Sequence, residues 1–157
     1  MSMSEKLQKI LKDKNIHYEL LAHPKAYTAQ EVAHSLHKTG KVCAKSVIIT
    51  VDGKYTMAVV PAPHKVNLSK IKDVLKATEV HLAKEDDLRT LFPDSELGAE
   101  PALGNLYNLL VVIAWQLAEK EEIIFNAGTH TDCLKISYLD YEKLTQPVVG
   151  DISEIPL

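Results

Sequence analysis

The chain has 157 residues, of which 46% are hydrophobic and 25% charged, and its net charge is −3. This composition argues against a disordered chain, and the negative net charge argues against indiscriminate nucleic-acid binding. The longest apolar run, residues 109–115, is far shorter than the roughly 20 residues of a membrane-spanning helix. Because the N-terminus also lacks the apolar core of a signal peptide, we expect a cytoplasmic protein. The length of the chain predicts one domain, over residues 1–157.

The first part of the chain combines helical and strand patterns. Apolar residues at helical spacing predict an amphipathic helix over residues 4–14, followed by a strand over residues 18–21. Thr28 and Glu31 form a capping-box pattern, which predicts a helix that ends at Gly40.

The clearest local signal is a β-hairpin in the middle of the chain. The β-branched residues 46–51 predict a buried strand, Asp52 and Gly53 predict a tight turn, and residues 55–60 predict the returning strand. Short helices are predicted to follow over residues 69–76 and 85–91.

The last third of the chain is predicted to be rich in strands. A Gly/Pro loop over residues 96–105 precedes strands over residues 109–114 and 123–126, an outer strand over residues 134–138, and a helix over residues 140–144. Hairpins interleaved with helices predict an α/β (α+β-like) fold, in which helices pack around a mixed, mostly antiparallel sheet.

Three segments carry residue types that suit a polar binding site. Lys45 enters the buried strand, where it is either a snorkelling surface lysine or a positive charge presented to an oxyanion or phosphate. The loop from Gly98 to Gly104 is either a plain connection or a source of backbone N–H groups for a carbonyl oxygen. The Gly128-Thr129-His130 turn is either a polar connection or a source of acid–base chemistry.

Other common catalytic patterns are missing from the sequence. It contains no phosphate-binding P-loop and no paired Cys-x-x-Cys, and we predict neither a metal nor a cofactor. His34 and His37 lie three residues apart and could share a metal, although an exposed polar helix face explains them better. Cys43 and Cys133 are expected to be reduced and buried.

Taken together, the segments over residues 44–48, 98–105 and 125–130 resemble the YbaK/prolyl-tRNA-editing domains in their order and spacing. His23-Pro24, followed by Thr28 and by Glu31-Val32-Ala33, is similar to the opening segment of that family. The resemblance extends from about residue 18 to residue 144.

The resemblance implies a mixed α/β fold and a trans-acting deacylase, which hydrolyses the ester of mischarged proline tRNA and often removes alanine or cysteine. It makes Lys45 and His130 the catalytic residues, Lys45 holding the ester or terminal phosphate and His130 holding the substrate amino group or orienting water. The implied substrate-binding residues are Gly98, Ala99, Glu100, Pro101, Ala102, Gly104, Gly128 and Thr129.

The implied partners are the acceptor end of tRNA and, as a further candidate, an aminoacyl-tRNA synthetase. Basic residues dominate residues 1–85 and acidic residues dominate residues 86–157, which leaves room for one basic face toward phosphates. The lysines that could contact the acceptor stem are Lys38, Lys41, Lys65, Lys70, Lys72 and Lys76.

Two positions depart from the pattern of the family. Ala102 stands where the family usually has a second proline, and Trp115-Gln116 stand where an acidic residue often follows the strand. These departures bear on which amino acid is removed and on the activity itself. They favour, as an alternative, a non-catalytic tRNA- or oligonucleotide-binding module of the same fold. A separate alternative is an enzyme that uses Cys43, two residues from Lys45, as its nucleophile.

Overall fold

A computed structural model describes residues 5–22 and 43–156 of the chain. The predicted helix over residues 28–40, the histidines His34 and His37, and the lysines Lys38 and Lys41 lie outside the described residues. In the described part, the chain forms short strands and helices that alternate along the sequence. The strands are β1 (Tyr18–Ala22), β2 (Ala44–Val51), β3 (Lys54–Pro61), β4 (Lys65–Val66), β5 (Val80–Leu82), β6 (Leu110–Ala114), β7 (Glu122–Asn126), β8 (Asp132–Ser137), β9 (Val148–Gly150) and β10 (Ser153–Glu154). The helices are α1 (Glu5–Asp13), α2 (Leu68–Leu75), α3 (Glu85–Leu91), α4 (Trp115–Ala118) and α5 (Tyr138–Thr145), with a 3-10 helix over Gly104–Tyr107.

The strands form a five-stranded sheet, a three-stranded sheet and a two-stranded ribbon. The five-stranded sheet has the order β5-β2-β3-β6-β9, and it is mixed because β2 pairs antiparallel with β3 and β5 while β6 pairs parallel with β3 and β9. The antiparallel sheet β1-β8-β7 meets the first sheet through a bridge between Cys43 and Ile124. The ribbon pairs β4 with β10. These sheets and the helices around them confirm the predicted mixed α/β fold.

Both faces of the five-stranded sheet are buried. Ile48 and Met57 belong to the larger apolar cluster, which also contains residues of α1, α5 and the three-stranded sheet. Their neighbours Ile49 and Ala58 point the other way, into a smaller cluster with Ile71 of α2. This alternation follows the two-residue period of a strand, so that both faces of the β2–β3 hairpin must be apolar.

The hairpin turn and the helix ends follow their local sequence signals. Asp52 and Gly53 both have positive φ, as the tight turn requires, and the Asp52 carboxylate accepts hydrogen bonds from two backbone N–H groups near β5. Asn67 caps α2 by accepting a hydrogen bond from the N–H of Lys70 at 2.9 Å. The cap fixes where α2 begins, directly after β4.

Two details differ from the sequence prediction. The strand predicted to be an outer one is β8, which lies between β1 and β7 in the middle of its sheet. Tyr138 does not end that strand but begins α5, because the Ser137 hydroxyl caps the helix by accepting the N–H of Asp140. The short elements β4, β5, β9, β10 and α4 were not predicted, since two to four residues are too few to show a period.

Candidate functional site

A cavity of about 800 Å³ opens beside the first half of β2. Strand β5 covers the edge of β2 only from Ile49 to Val51, so the edge from Lys45 to Val47 is left to the cavity. The opposite walls come from the β3–β4 connection, the start of α2, Gly98 and the C-terminal segment. The lining residues with polar side chains are Lys45, Ser46, His64, Lys65, Asn67 and Glu154.

Lys45 projects into this cavity from the half-buried edge of β2. The strand alternation places its side chain on the same face as Val47 and Ile49, toward α2. Burial lowers the pKa of the ammonium from its ordinary value. Among residues 5–22 and 43–156, no carboxylate forms an ion pair with it. An ammonium that is desolvated without a carboxylate partner is suited to receive an anionic or strongly polar ligand.

His64 lies on the wall of the same cavity, shortly after the end of β3, and was not among the residues predicted from the sequence. Its Nδ1 is 2.8 Å from the hydroxyl of Ser153 in β10, which holds the ring in place. Burial and the positive charges of Lys45 and Lys70 lower the pKa of the imidazole from 6.5. The side chain is therefore a neutral imidazole at neutral pH, fixed beside the lysine.

Gly98 is the member of the predicted Gly/Pro loop that lines the cavity. Its φ is +87°, a conformation that favours glycine. Its N–H donates to the carboxylate of Glu100 at 3.0 Å, and the N–H of Ala99 donates to the carbonyl oxygen of Glu96. Both N–H groups are thus occupied within the loop in this conformation.

The rest of the loop is buried and supports the fold. Ala99, Glu100, Pro101, Ala102 and Gly104 all lie in the interior. The carbonyl oxygen of Ala102 accepts the hydroxyl of Tyr141 at 2.6 Å. A Cβ at Gly104 would lie 2.8 Å from a methyl group of Val111, so a side chain at that position would force its neighbours to shift. The side chain of Ala102 is buried and does not line the cavity wall.

The Gly128-Thr129-His130 turn is hydrogen-bonded to the loop on the side away from the cavity. The N–H of Glu96 donates to the carbonyl oxygen of Gly128, and the N–H of Gly128 donates to that of Ala99. The backbone N–H of His130 donates to the Glu96 carboxylate at 2.7 Å. Loop and turn are thereby joined into one unit.

His130 does not line the cavity with Lys45. It is only 5% exposed, and its Nε2 is 2.8 Å from the carbonyl oxygen of Leu97. A carbonyl oxygen can only accept, so Nε2 carries the proton and donates it. The ring stands behind Gly98, with Cε1 at 3.6 Å from the position of a Cβ on that glycine. The three predicted segments therefore meet, but Lys45 and Gly98 face the cavity while His130 supports its wall. Thr129 is also buried and donates its hydroxyl to Asp132 at 2.8 Å.

The predicted tRNA-contact lysines in the described part lie on and near α2. Lys65 is exposed and lines the cavity, and Lys72 and Lys76 are exposed along the helix. Lys70 donates to Asp151 at 3.0 Å and to the carbonyl oxygen of Ser153 at 3.1 Å, so it fastens α2 to the C-terminal segment. Its charge is partly offset by this carboxylate.

The remaining sequence candidates are not part of the cavity. Cys43 and Cys133 are buried thiols that form no disulfide within the described residues, and burial raises the pKa of Cys133 to about 12. Cys43 is 2% exposed and does not line the cavity, which argues against its use as a nucleophile. Residues 5–22 and 43–156 contain no cluster of three side chains suited to hold a metal ion. No helix in this described part is long and apolar enough to cross a membrane.

The sequence profile of the family described as "Aminoacyl-tRNA editing domain" matches residues 23–144. The chain belongs to this family. Sequence relatives of the editing domain include a proline–tRNA ligase of Geobacillus thermodenitrificans, 39% identical over 67 residues, which are 43% of this chain and 12% of the ligase. A proline–tRNA ligase of Staphylococcus saprophyticus is 34% identical over 86 residues, 54% of this chain and 14% of that ligase. The match therefore spans a small part of each ligase.

Solved structures share the fold of this editing domain. A hypothetical protein superposes with a TM-score of 0.86 at 22% identity, covering 96% of this chain and 100% of the other. A candidate trans-editing enzyme for prolyl tRNA synthetase superposes with a TM-score of 0.83 at 20% identity, covering 98% and 99% of the two chains. At such low identity these matches establish the fold alone, and the family assignment rests on the sequence profile.

Proposed function

We propose that this editing domain is a deacylase that hydrolyses the ester of mischarged proline tRNA, with alanyl or cysteinyl esters as its substrates. The observation that carries the proposal is Lys45, a half-buried ammonium without a carboxylate partner in the described part, at the wall of a large cavity. Such a charge suits the carbonyl oxygen or the terminal phosphate of an aminoacylated tRNA end.

The proposed reaction uses water as the nucleophile, because an aminoacyl ester is already activated. Water attacks the ester carbonyl carbon and gives its proton to Nε2 of His64, while Lys45 stabilises the negative charge that develops on the carbonyl oxygen. The bond between this carbon and the ribose oxygen then breaks, and the proton passes from His64 to the ribose oxygen. The products are the free amino acid and the uncharged tRNA.

His64 has the geometry that this role requires. When its Nδ1 donates to the Ser153 hydroxyl, Nε2 carries the lone pair and can accept a proton. Burial and, secondarily, the neighbouring positive charges lower the pKa of the ring from 6.5, which favours its neutral form at pH 7. We assign His130 a positioning role, since its ring donates to the Leu97 carbonyl and supports Gly98 from behind.

The tRNA backbone is proposed to cross the face that carries Lys65, Lys72 and Lys76. These three ammonium groups are exposed and lie beside or beyond the cavity. Each phosphate that a lysine neutralises releases bound counterions, so tRNA affinity should fall steeply as salt rises. A nearly flat salt response would contradict this contact.

A non-catalytic tRNA-binding module is the second candidate, and one observation favours it. The N–H groups of Gly98 and Ala99 are bonded within the loop, so they are not free to polarise a substrate carbonyl in this conformation. The two functions differ in one measurement. A binding module retains the ester of every charged tRNA that it binds, whereas a deacylase releases the amino acid.

The test is to incubate the protein with proline tRNA charged separately with Ala, Cys, Ser and Pro, and to follow loss of the ester. Selective loss of a mischarged species supports the proposal and identifies the amino acid. Retention of all four esters, together with tRNA binding, would replace it with the binding module.

A further inference from the structure

A second, smaller cavity lies next to the one that contains Lys45. Its volume is about 240 Å³, and it is lined by Pro61, His64, Trp115, Gln116, Glu119 and Lys120. His64 lines both cavities and is their common wall. A polymer whose terminal unit occupies the first cavity can therefore reach the second by passing over His64.

Trp115 is the prominent side chain of this second cavity. It is the single tryptophan of the chain, it begins α4, and 43% of its surface is exposed. A large aromatic side chain on the surface beside a polar cavity is suited to stack against another flat ring. Single-stranded nucleic acids use this contact, since every base has a face that can stack.

The polar groups of the second cavity also suit a base more than a phosphate. Lys120 brings one positive charge and Glu119 one negative charge, so the cavity offers little net attraction for an anion. Gln116 lines this cavity, and its side-chain oxygen is buried and has no hydrogen-bond partner among the described residues. A rotation of this amide would present an acceptor to the amino group of a base.

We propose that the second cavity is a nucleotide subsite, in which Trp115 stacks on the base that precedes the aminoacylated terminal nucleotide of tRNA. This inference rests on the proposed deacylase function, because it places the terminal aminoacyl-nucleotide in the first cavity. It assigns the Trp115 departure from the family pattern to binding of the tRNA end, and it leaves the chemistry to the first cavity.

The experiment compares Trp115→Ala with the intact protein on two substrates, alanyl-tRNA and alanyl-adenosine, which lacks the preceding nucleotide. One lost stacking contact corresponds to a decrease in kcat/KM of about tenfold on alanyl-tRNA. We expect this decrease on the tRNA, no change on alanyl-adenosine, and most of the activity retained in Trp115→Phe. The slope of affinity against salt should not change, because stacking releases no counterions.

Tyr18→Ala is the matched control, since Tyr18 is an aromatic residue of nearly the same exposure, 42%, and does not line either cavity. It should behave like the intact protein on both substrates. An unchanged kcat/KM of Trp115→Ala on alanyl-tRNA would overturn the subsite, and so would an equal decrease on both substrates.

Fluorescence separates this inference from the proposed function. Because Trp115 is the only tryptophan, its emission reports directly on the second cavity. Uncharged proline tRNA with an intact 3′ end should quench it, and the same tRNA without its last two nucleotides should not. Quenching without deacylation would contradict the proposed function and leave the subsite standing. Deacylation without quenching would contradict the subsite and support the proposed function.

Discussion

Replacement of Lys45 with methionine should stabilise the fold and strongly reduce the rate of deacylation. The ammonium is desolvated in the native state, and within the described residues no carboxylate forms an ion pair with it. Methionine keeps most of the aliphatic stem, so the substitution removes the charge without opening a large void. Removal of such a functional charge should raise the free energy of unfolding by about 0.5–1 kcal/mol, while activity falls by about 100-fold or more.

The gain in stability should depend on pH in a defined direction. Burial lowers the pKa of Lys45 below 10.5, so between the lowered pKa and 10.5 the unfolded chain binds more protons than the native one. The stability of the intact protein therefore rises with pH across this window, as the buried ammonium loses its charge. Lys45→Met has no such group. The excess in free energy of unfolding of Lys45→Met over the intact protein should be complete at neutral pH and should shrink as pH rises toward 10.5.

Urea denaturation of both proteins at pH 7 and pH 10 measures this difference, and ester loss from mischarged tRNA measures the activity. Lys65→Met is the matched control, because Lys65 is exposed at the same cavity and its charge is not buried. The reasoning would be refuted if Lys45→Met were less stable than the intact protein at pH 7, or if the stability difference were equal at both pH values.

Three further substitutions test the assigned roles. His64→Asn should reduce kcat and remove the acidic limb of the pH–rate profile, which in the intact protein should fall only below pH 6.5 as the imidazole is protonated; an unchanged profile would exclude His64 as the base. His130→Ala should cost about 1–3 kcal/mol in urea denaturation, because a buried imidazole is removed and the Leu97 carbonyl loses its donor at 2.8 Å; a neutral result would contradict the positioning role. Gly104→Ala should destabilise by about 1–3 kcal/mol, since its Cβ would lie 2.8 Å from a methyl group of Val111; an unchanged Tm would show that the loop adapts freely.

Much of the fold could be predicted because its elements have local causes. The β2–β3 hairpin follows from β-branched residues and a turn that needs positive φ at Asp52 and Gly53. Helix α3 has the predicted bounds, Glu85–Leu91. By contrast, β4, β5 and β10 are two or three residues long, and each is a strand only because a distant partner pairs with it. Pairing of this kind leaves no period in the sequence.

The candidate site was predicted only in part, because the sequence shows local signals but not contacts between distant residues. Lys45 and Gly98 carry local signals, a charged residue within an apolar strand and a glycine that a turn requires, and both line the cavity. His130 also carries a signal, but its ring faces the Leu97 carbonyl because the turn packs behind the loop. His64 could not be found in this way. Its place depends on Ser153, 89 positions away in the chain, which comes close only through the β4–β10 ribbon.

The central proposal is that the cavity beside β2 binds and hydrolyses an aminoacyl ester through Lys45. The most direct measurement is the rate of ester loss from proline tRNA charged with alanine, cysteine, serine or proline, with the intact protein and with Lys45→Met in parallel. We expect alanyl or cysteinyl ester to disappear with the intact protein, prolyl ester to persist, and Lys45→Met to leave every ester in place. Equal rates for the two proteins, or persistence of all four esters with the intact protein, would contradict the proposal.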